Sequence, residues 1–272
     1  MKTAAKNQVY VGANGRESLY DVTIPENWNG RLILFIHGYM GFKDWGCWDL
    51  VGDFFVDNSY AFVKYNVSHN GGTVDDPIDF PDPQAFSQNT YTRELTDFDC
   101  IVAHLVEQIG DFELLVIGHS RGGGIAALQS VHPGVSKWAS WAGISSISKR
   151  FPTGAALEDW RKNTFRYVKN GRTLQELPHH FNQYVDFETN SDRLNIEAHC
   201  KNNKKPCLIL HGEEDPSVSI EEGKNLAKWT QTELIAIENA QHTFNASHPW
   251  NGDEMPDALL ESCRQTLLFF EA

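Results

Sequence analysis

The sequence predicts an α/β fold built on a mostly parallel sheet, and three observations carry that prediction. Short apolar runs of strand length alternate along the chain with segments of helical periodicity, the pattern of a sheet assembled from βα units. The glycine-bracketed segment Gly118-His119-Ser120-Arg121-Gly122 falls where one such run gives way to a helix. One excursion, residues 143–205, is longer than a plain connection needs and marks an insertion. At 272 residues, with 41% hydrophobic and 22% charged side chains, the chain can bury a continuous core. Residues 1–272 are therefore expected to form one domain, with residues 144–200 as an inserted cap.

The elements follow in order. Ser18 to Ile24 reads as an early strand, Arg31 to Ile36 as a buried central strand because it is apolar nearly throughout, and Tyr60 to Val67 as the next. Between Asn89 and Ile109 the residues Leu95, Phe98, Ile101, Val102, Leu105, Val106 and Ile109 recur at three- and four-residue spacing, which predicts a helix with one face on the sheet. Glu113 to Gly118 is again a strand, and the small residues from Gly122 to Leu128 open a helix directly behind it. Lys137 to Ala142, Pro206 to Leu210 and Glu233 to Ile237 complete the strands, and Asp257 to Phe270 closes the chain as an amphipathic helix through Leu259, Leu260, Cys263 and Leu267. Inside the excursion, Asn170-Gly171 between Phe165-Arg166-Tyr167-Val168 and Arg172-Thr173-Leu174 predicts a hairpin.

Charge and cysteine usage narrow the function classes. Lys and Arg total 23 against 36 Asp and Glu, a formal net charge of -13 that repels phosphate backbones and anionic lipid, so neither nucleic acid nor membrane is an expected partner. No apolar stretch follows the opening residues, and the run Leu32 to Ile36 is too short to span a bilayer. Cys47, Cys100, Cys200, Cys207 and Cys263 form no CxxC pair, so free thiols in a reducing cytoplasm are expected; Cys200 and Cys207 are the pair that could bridge elsewhere. The oligomeric state is left open.

The chemistry resides in three segments. Gly118-His119-Ser120-Arg121-Gly122 fits the nucleophile-elbow pattern G-x-S-x-G, a turn so sharp that side chains at its two glycine positions would clash. The pattern alone is weak, and its placement between strand and helix is what gives it force, since a helix N-terminus aims N–H groups at a forming oxyanion. A serine hydroxyl needs a base held by an acid, in chain order Ser, Asp or Glu, His. Asp215, in the turn His211-Gly212-Glu213-Glu214-Asp215 after a strand, is the natural acid, with Glu213 and Glu214 as competitors. His242, on the loop after the last strand, is the best placed of 11 histidines; His248 is a fallback, and His199, His179 and His180 read as surface or substrate-facing. The loop His37-Gly38-Tyr39-Met40-Gly41 offers a second oxyanion donor, so the main-chain N–H groups of Tyr39 and Arg121 are assigned to the oxyanion hole.

Through His37-Gly38, the Ser120 motif, His211-Gly212 leading to Asp215, and His242, the chain resembles the α/β-hydrolase superfamily over essentially its whole length. Within it the chain is similar to the dienelactone-hydrolase-like and cinnamoyl (feruloyl) esterases, which carry a comparable hairpin-bearing cap after the sixth strand. The resemblance implies an α/β-hydrolase fold with a sheet of about eight strands flanked by helices, no metal, no organic cofactor, and hydrolysis of carboxylic esters through an acyl-enzyme. Two departures matter. Dienelactone hydrolases proper use cysteine where this chain has Ser120, which favours ordinary ester cleavage, and Arg121 replaces the Gln or Met frequent after the nucleophile.

The expected substrate is a small acyl or aryl ester, and the acidic chain favours a neutral one, because long-range steering gives it nothing with anions. Specificity is assigned to the cap and to the excursion Ser68 to Tyr91 as a pocket wall. Phe151, Trp160, Phe165, Tyr167, Phe181 and Tyr184 are read first as the core of the cap. Two other readings stay open: an acyl-peptide hydrolase or aminopeptidase using the same three residues, and a non-catalytic binding protein on the same scaffold.

Overall fold

The computed structural model describes residues 3–272. In chain order its elements are β1 (Thr3–Val11), β2 (Glu17–Ile24), β3 (Arg31–Ile36), α1 (Trp48–Asp57), β4 (Ala61–Tyr65), α2 (Pro83–Gln88), α3 (Tyr91–Ile109), β5 (Glu113–His119), α4 (Arg121–Gln129) and β6 (Val135–Trp141). There follow α5 (Ala155–Asn163), β7 (Phe165–Lys169), β8 (Glu176–His180), α6 (Asn182–Thr189), α7 (Ile196–Asn202), β9 (Cys207–Gly212), α8 (Ile220–Thr230), β10 (Leu234–Ile237) and α9 (Asp257–Glu271).

Eight strands form one sheet in the order β1-β2-β4-β3-β5-β6-β9-β10. Every pair from β4 to β10 is parallel, and only β2 runs against its neighbours. Because side chains alternate across a strand, one apolar run serves two cores. Leu32, Leu34 and Ile36 of β3 pack with Leu114 and Val116 of β5 against the helices of one face, α3 and α4 among them. Ile33 and Phe35 join Leu115 and Ile117 on the other face, under α1 and α9. This double burial is why the central strands read as unbroken apolar segments.

The first strand carries no such signal. β1 is an edge strand with most positions exposed and a register shift between Ala5 and Gln8, so its sequence is polar where an edge faces water. A bond from the Asn7 main-chain N–H to Asp21 Oδ1, 2.8 Å, closes the irregular stretch.

Between β6 and β9 lies the long excursion, and it holds the expected hairpin with a different turn. Strand β8 begins at Glu176, not at Arg172, because the Asn170 carboxamide oxygen accepts from the N–H of Arg172 (2.9 Å) and Thr173 (3.0 Å) and organises residues 170–175 as a wider loop. Asn170 N–H then closes it on Gln175 O at 2.8 Å. Trp160 is buried among Phe151, Phe181 and Tyr184, a small aromatic core as expected, whereas Phe165 and Tyr167 face outward. Helix α7 places Ile196 and Cys200 in the sheet's own core. All five cysteines are free thiols, and no helix among the described residues is long and apolar enough to cross a membrane.

Candidate active site

The carboxyl ends of β3, β5, β9 and β10 meet on one edge of the sheet, and each delivers one part of a common site. Ser120 is the single residue between β5 and α4, with φ 58° and ψ -119°. A non-glycine residue at positive φ carries roughly 1–3 kcal/mol of strain; here bonds on both sides hold it, Ser120 N–H to Trp141 O (2.9 Å) and Gly123 N–H to Ser120 O (3.0 Å). The motif's glycines are required by close approach. A Cβ on Gly118 would stand 2.0 Å from the Gly122 carbonyl oxygen, and one on Gly122 would stand 2.2 Å from Ile36 O.

The structure brings Ser120, His242 and Asp215 into one hydrogen-bonded line. Ser120 Oγ lies 2.9 Å from His242 Nε2, and His242 Nδ1 lies 2.7 Å from Asp215 Oδ2. Asp215 Oδ1 accepts from the main-chain N–H of Ser217 (2.8 Å) and Val218 (2.9 Å), which fixes the carboxylate in its turn. The His242 side chain is 19% exposed and that of Asp215 is 0% exposed, so substrate and water reach the imidazole and not the acid. Burial works to raise the Asp215 pKa, but hydrogen bonds from His211 and then His242 outweigh it and hold the carboxyl well below the usual range.

The competitors lie elsewhere. Glu213 and Glu214 are exposed. His248 Nδ1 accepts from Gly46 N–H at 2.9 Å, and His199 Nδ1 bonds back to the carbonyl of Asn195, the N-cap of α7, at 2.9 Å.

Gly38 packs directly on the elbow, since a Cβ there would meet Ser120 Cβ at 2.9 Å. The turn is held by His37, whose Nε2 accepts from Val67 N–H (3.2 Å) and whose Nδ1 donates to Gly38 O (2.9 Å); burial lowers its pKa to about 4 and keeps the ring neutral. Tyr39 follows with its side chain on the cap, its hydroxyl 2.7 Å from His179 Nε2. Arg121 is the first residue of α4, so its main-chain N–H has no intrahelical acceptor and faces the elbow end of the helix.

Three residues with a part in this geometry escaped sequence reasoning. His119, inside the motif, donates from Nε2 to His242 O at 2.9 Å, and burial lowers its pKa to about 3, so a neutral ring anchors the His242 loop. His211, fully buried, bonds Val218 O (2.8 Å) and sits 3.3 Å from Asp215 Oδ2, bracing the acid from behind. His179, read as surface or substrate-facing, is not a surface residue: it is buried between the cap and the Tyr39 turn, where it lines the cavity beside Ser120. Each lies in a segment already noted, but the partners of His119 and His179 lie across the fold and have no signature in spacing, and that of His211 depends on how its own turn folds back.

Two cavities open on either side of Ser120 and His242. One, about 460 Å³, runs under the cap between Tyr91, Phe151 and Arg166. The other, about 430 Å³, is floored by Trp45 and Trp48 and bounded by the loop at Asn170. One group of three metal-ligating side chains occurs among the described residues, Asp21, Asp44 and Asp49, none of which lines either cavity. Lys64 Nζ sits among them, 2.9 Å from Asp21 and 2.8 Å from Asp49 and bonded also to Asp44, so an ammonium fills the place an ion would take.

The model of the alpha/beta hydrolase family matches residues 33–261. No curated protein matches the chain by sequence. Among solved structures, Est1E from Butyrivibrio proteoclasticus with ferulic acid bound is 17% identical with a TM-score of 0.73, over 96% of this chain and 98% of that one. The esterase Pf2001 from Pyrococcus furiosus is 12% identical with a TM-score of 0.65, over 100% and 92%. The acylaminoacyl peptidase of Pyrococcus horikoshii is 15% identical with a TM-score of 0.66, over 99% of this chain but 41% of that one. At such identities the likeness is one of fold.

Proposed function

This chain belongs to the alpha/beta hydrolase family, and we propose that it cleaves carboxylic esters through an acyl-enzyme on Ser120, with His242 as base, Asp215 as its orienting acid and the N–H groups of Tyr39 and Arg121 as the oxyanion hole. The observation that carries this reading is the continuous line Ser120 Oγ, His242 Nε2, His242 Nδ1, Asp215 Oδ2 at 2.9 and 2.7 Å, reached at a strained elbow on the sheet's carboxyl edge.

In the proposed cycle His242 Nε2 takes the Ser120 proton as Oγ attacks the ester carbonyl, and the oxyanion forms against the two main-chain donors. The imidazolium gives that proton to the departing alkoxide, leaving the acyl group on Oγ. Water entering from the exposed side of His242 gives its proton to Nε2 as it attacks the acyl carbonyl, and the imidazolium returns that proton to Ser120 Oγ as the acyl–Oγ bond breaks and the acid leaves. Asp215, held ionised by its four donors, stabilises the charged imidazole and fixes the tautomer with the Nδ1 proton.

The two cavities flanking Ser120 give the acyl and alcohol halves of an ester separate places, and the aromatic lining under the cap favours small acyl or aryl groups. The solved likeness with ferulic acid bound to Est1E supports an aryl acid among them. An aminopeptidase needs a carboxylate for the free ammonium of its substrate, and no Asp or Glu lines either cavity, which favours esters.

The test is Ser120→Ala. Turnover of 4-nitrophenyl acetate and labelling by a fluorophosphonate are both expected to vanish while the circular dichroism spectrum and melting temperature stay close to those of the parent; near-parental turnover in this variant overturns the proposal.

A further inference from the structure

The chain carries a large negative net charge, yet the cavity under the cap is lined by Arg121, Lys149, Arg150 and Arg166 and by no carboxylate. Two of these cations are answered from behind the wall. Arg121 pairs with buried Glu94 at 3.0 Å and lies between the rings of Tyr39 and Tyr91, and Arg150 pairs with buried Glu222. The other two are not: among the described residues neither Lys149 nor Arg166 is in an ion pair.

Arg166 is the unusual one. Strand β7 alternates, with Phe165, Tyr167 and Lys169 exposed and Arg166 and Val168 turned inward to the cavity. An inward position on a small cap's strand is ordinarily apolar. Arg166 instead stacks its guanidinium on Trp160, 4.6 Å from ring centre, and its Nε is buried with no hydrogen-bond partner. Arg150 likewise keeps a buried, unpartnered Nε on the same cavity. A guanidinium laid flat on an aromatic ring is pre-oriented, and with Nε closed off from the cavity its two terminal nitrogens are the donors left to meet a planar anion there.

Resting on the esterase reading above, we propose that the cavity under the cap is a carboxylate subsite, with Arg166 as the residue that selects esters carrying a second, free carboxylate, and with Arg150 and Lys149 beside it. The chain-wide charge had favoured neutral esters. Long-range steering and local pairing are separate effects: the first sets encounter rates over a Debye length, the second acts at contact inside a partly dry wall. A half-ester of a dicarboxylic acid supplies the carboxylate from its acyl side, and an ester of a hydroxy acid supplies it from the alcohol side.

Both sources are read by matched pairs of substrates. On the acyl side, mono-4-nitrophenyl adipate is compared with its methyl ester; on the alcohol side, 4-acetoxybenzoate with its methyl ester. The parent enzyme is expected to favour the anion over its neutral partner in one pair by roughly tenfold or more in kcat/KM, with the preference shrinking as NaCl is raised. Arg166→Met should remove most of that ratio, and Arg166→Lys should restore part of it. Adipate is also expected to raise the melting temperature of the parent, where neutral adipamide does not, and to lose that effect in Arg166→Met; this readout needs no turnover. The subsite is refuted if neither pair shows an anionic preference, if the preference survives Arg166→Met, or if adipate and adipamide act alike. Failure of the esterase reading looks different: no turnover and no fluorophosphonate labelling, with the adipate shift intact.

Discussion

Replacing Asp215 by asparagine tests the proposed relay at its least ambiguous joint. The carboxamide must decide which end faces which neighbour. Ser217 and Val218 present two main-chain N–H groups to Oδ1 at 2.8 and 2.9 Å, so the amide oxygen belongs there. The NH2 group then faces His242 Nδ1, 2.7 Å from the atom it replaces. Nδ1 has to accept, the ring proton moves to Nε2, and Nε2 points at Ser120 Oγ across 2.9 Å with no lone pair to receive the hydroxyl proton. The opposite orientation leaves both main-chain donors unpaired, at about 1–3 kcal/mol each, so the wrong tautomer prevails. Fixing the unproductive tautomer in a triad of this kind costs about four orders of magnitude in kcat, which is roughly 5 kcal/mol of barrier. The assay is kcat and KM for 4-nitrophenyl acetate, with circular dichroism to confirm the fold. Asp215→Asn should lower kcat and leave KM near the parent value. A folded variant keeping about a tenth of parental kcat or more refutes the role given to Asp215.

Three further outcomes are expected. Gly38→Ala puts a methyl group 2.9 Å from Ser120 Cβ, so the turn must retreat from the elbow, and kcat should fall roughly tenfold to a hundredfold with little loss of stability in urea unfolding. Lys64→Met removes the one ammonium that touches Asp21, Asp44 and Asp49 together, leaving Lys43 to answer Asp21 and Asp44 and Lys6 to answer half-exposed Asp49; with those partners offsetting part of the buried-pair penalty, a loss of about 2 kcal/mol is expected in the same assay, and a change under about 0.5 kcal/mol would count against it. Burial of Asp21 alone would raise its pKa, but Lys64 and Lys43 lower it to about 2. A folded pKa below the unfolded 3.8 gives stability that is present above that value and lost as pH falls toward 2, about 2 kcal/mol in all. Asp97 has the opposite sign: burial raises its pKa to about 6, so its protonation favours the folded state as pH falls from 6 toward 4. Unfolding midpoints measured from pH 7 to 2.5 should therefore show acid loss below pH 4 and none from Asp97 above it.

What could be read from the residue order follows local periodicity. The strands β3, β5, β6, β9 and β10 and the helices α3, α4 and α9 announced themselves through apolar alternation or recurrence, because each buries a full face. Edge strand β1 is silent because its side chains face water, and the cap hairpin turns through a longer loop than Asn-Gly alone implies because the Asn170 carboxamide bonds to residues two and three positions on. Ser120, Asp215 and His242 were legible for a topological reason. In a parallel sheet every strand points its carboxyl end to the same edge, so a residue just past a strand is known to lie on that edge without knowing its neighbours.

The sequence by itself thus determined the architecture, the edge at which chemistry can occur, and the three residues that meet there, since those depend on strand order and turn chemistry. Only the tertiary structure decided which groups brace them and what the cavity presents to a substrate. His119 reaches His242 O, His211 backs Asp215, and Arg166 turns inward over Trp160, across separations of 123, 4 and 6 residues in the chain. The first is chosen by packing between distant elements and the other two by how a turn or a short connection folds back, and a side chain's direction there has no period in the sequence from which to read it.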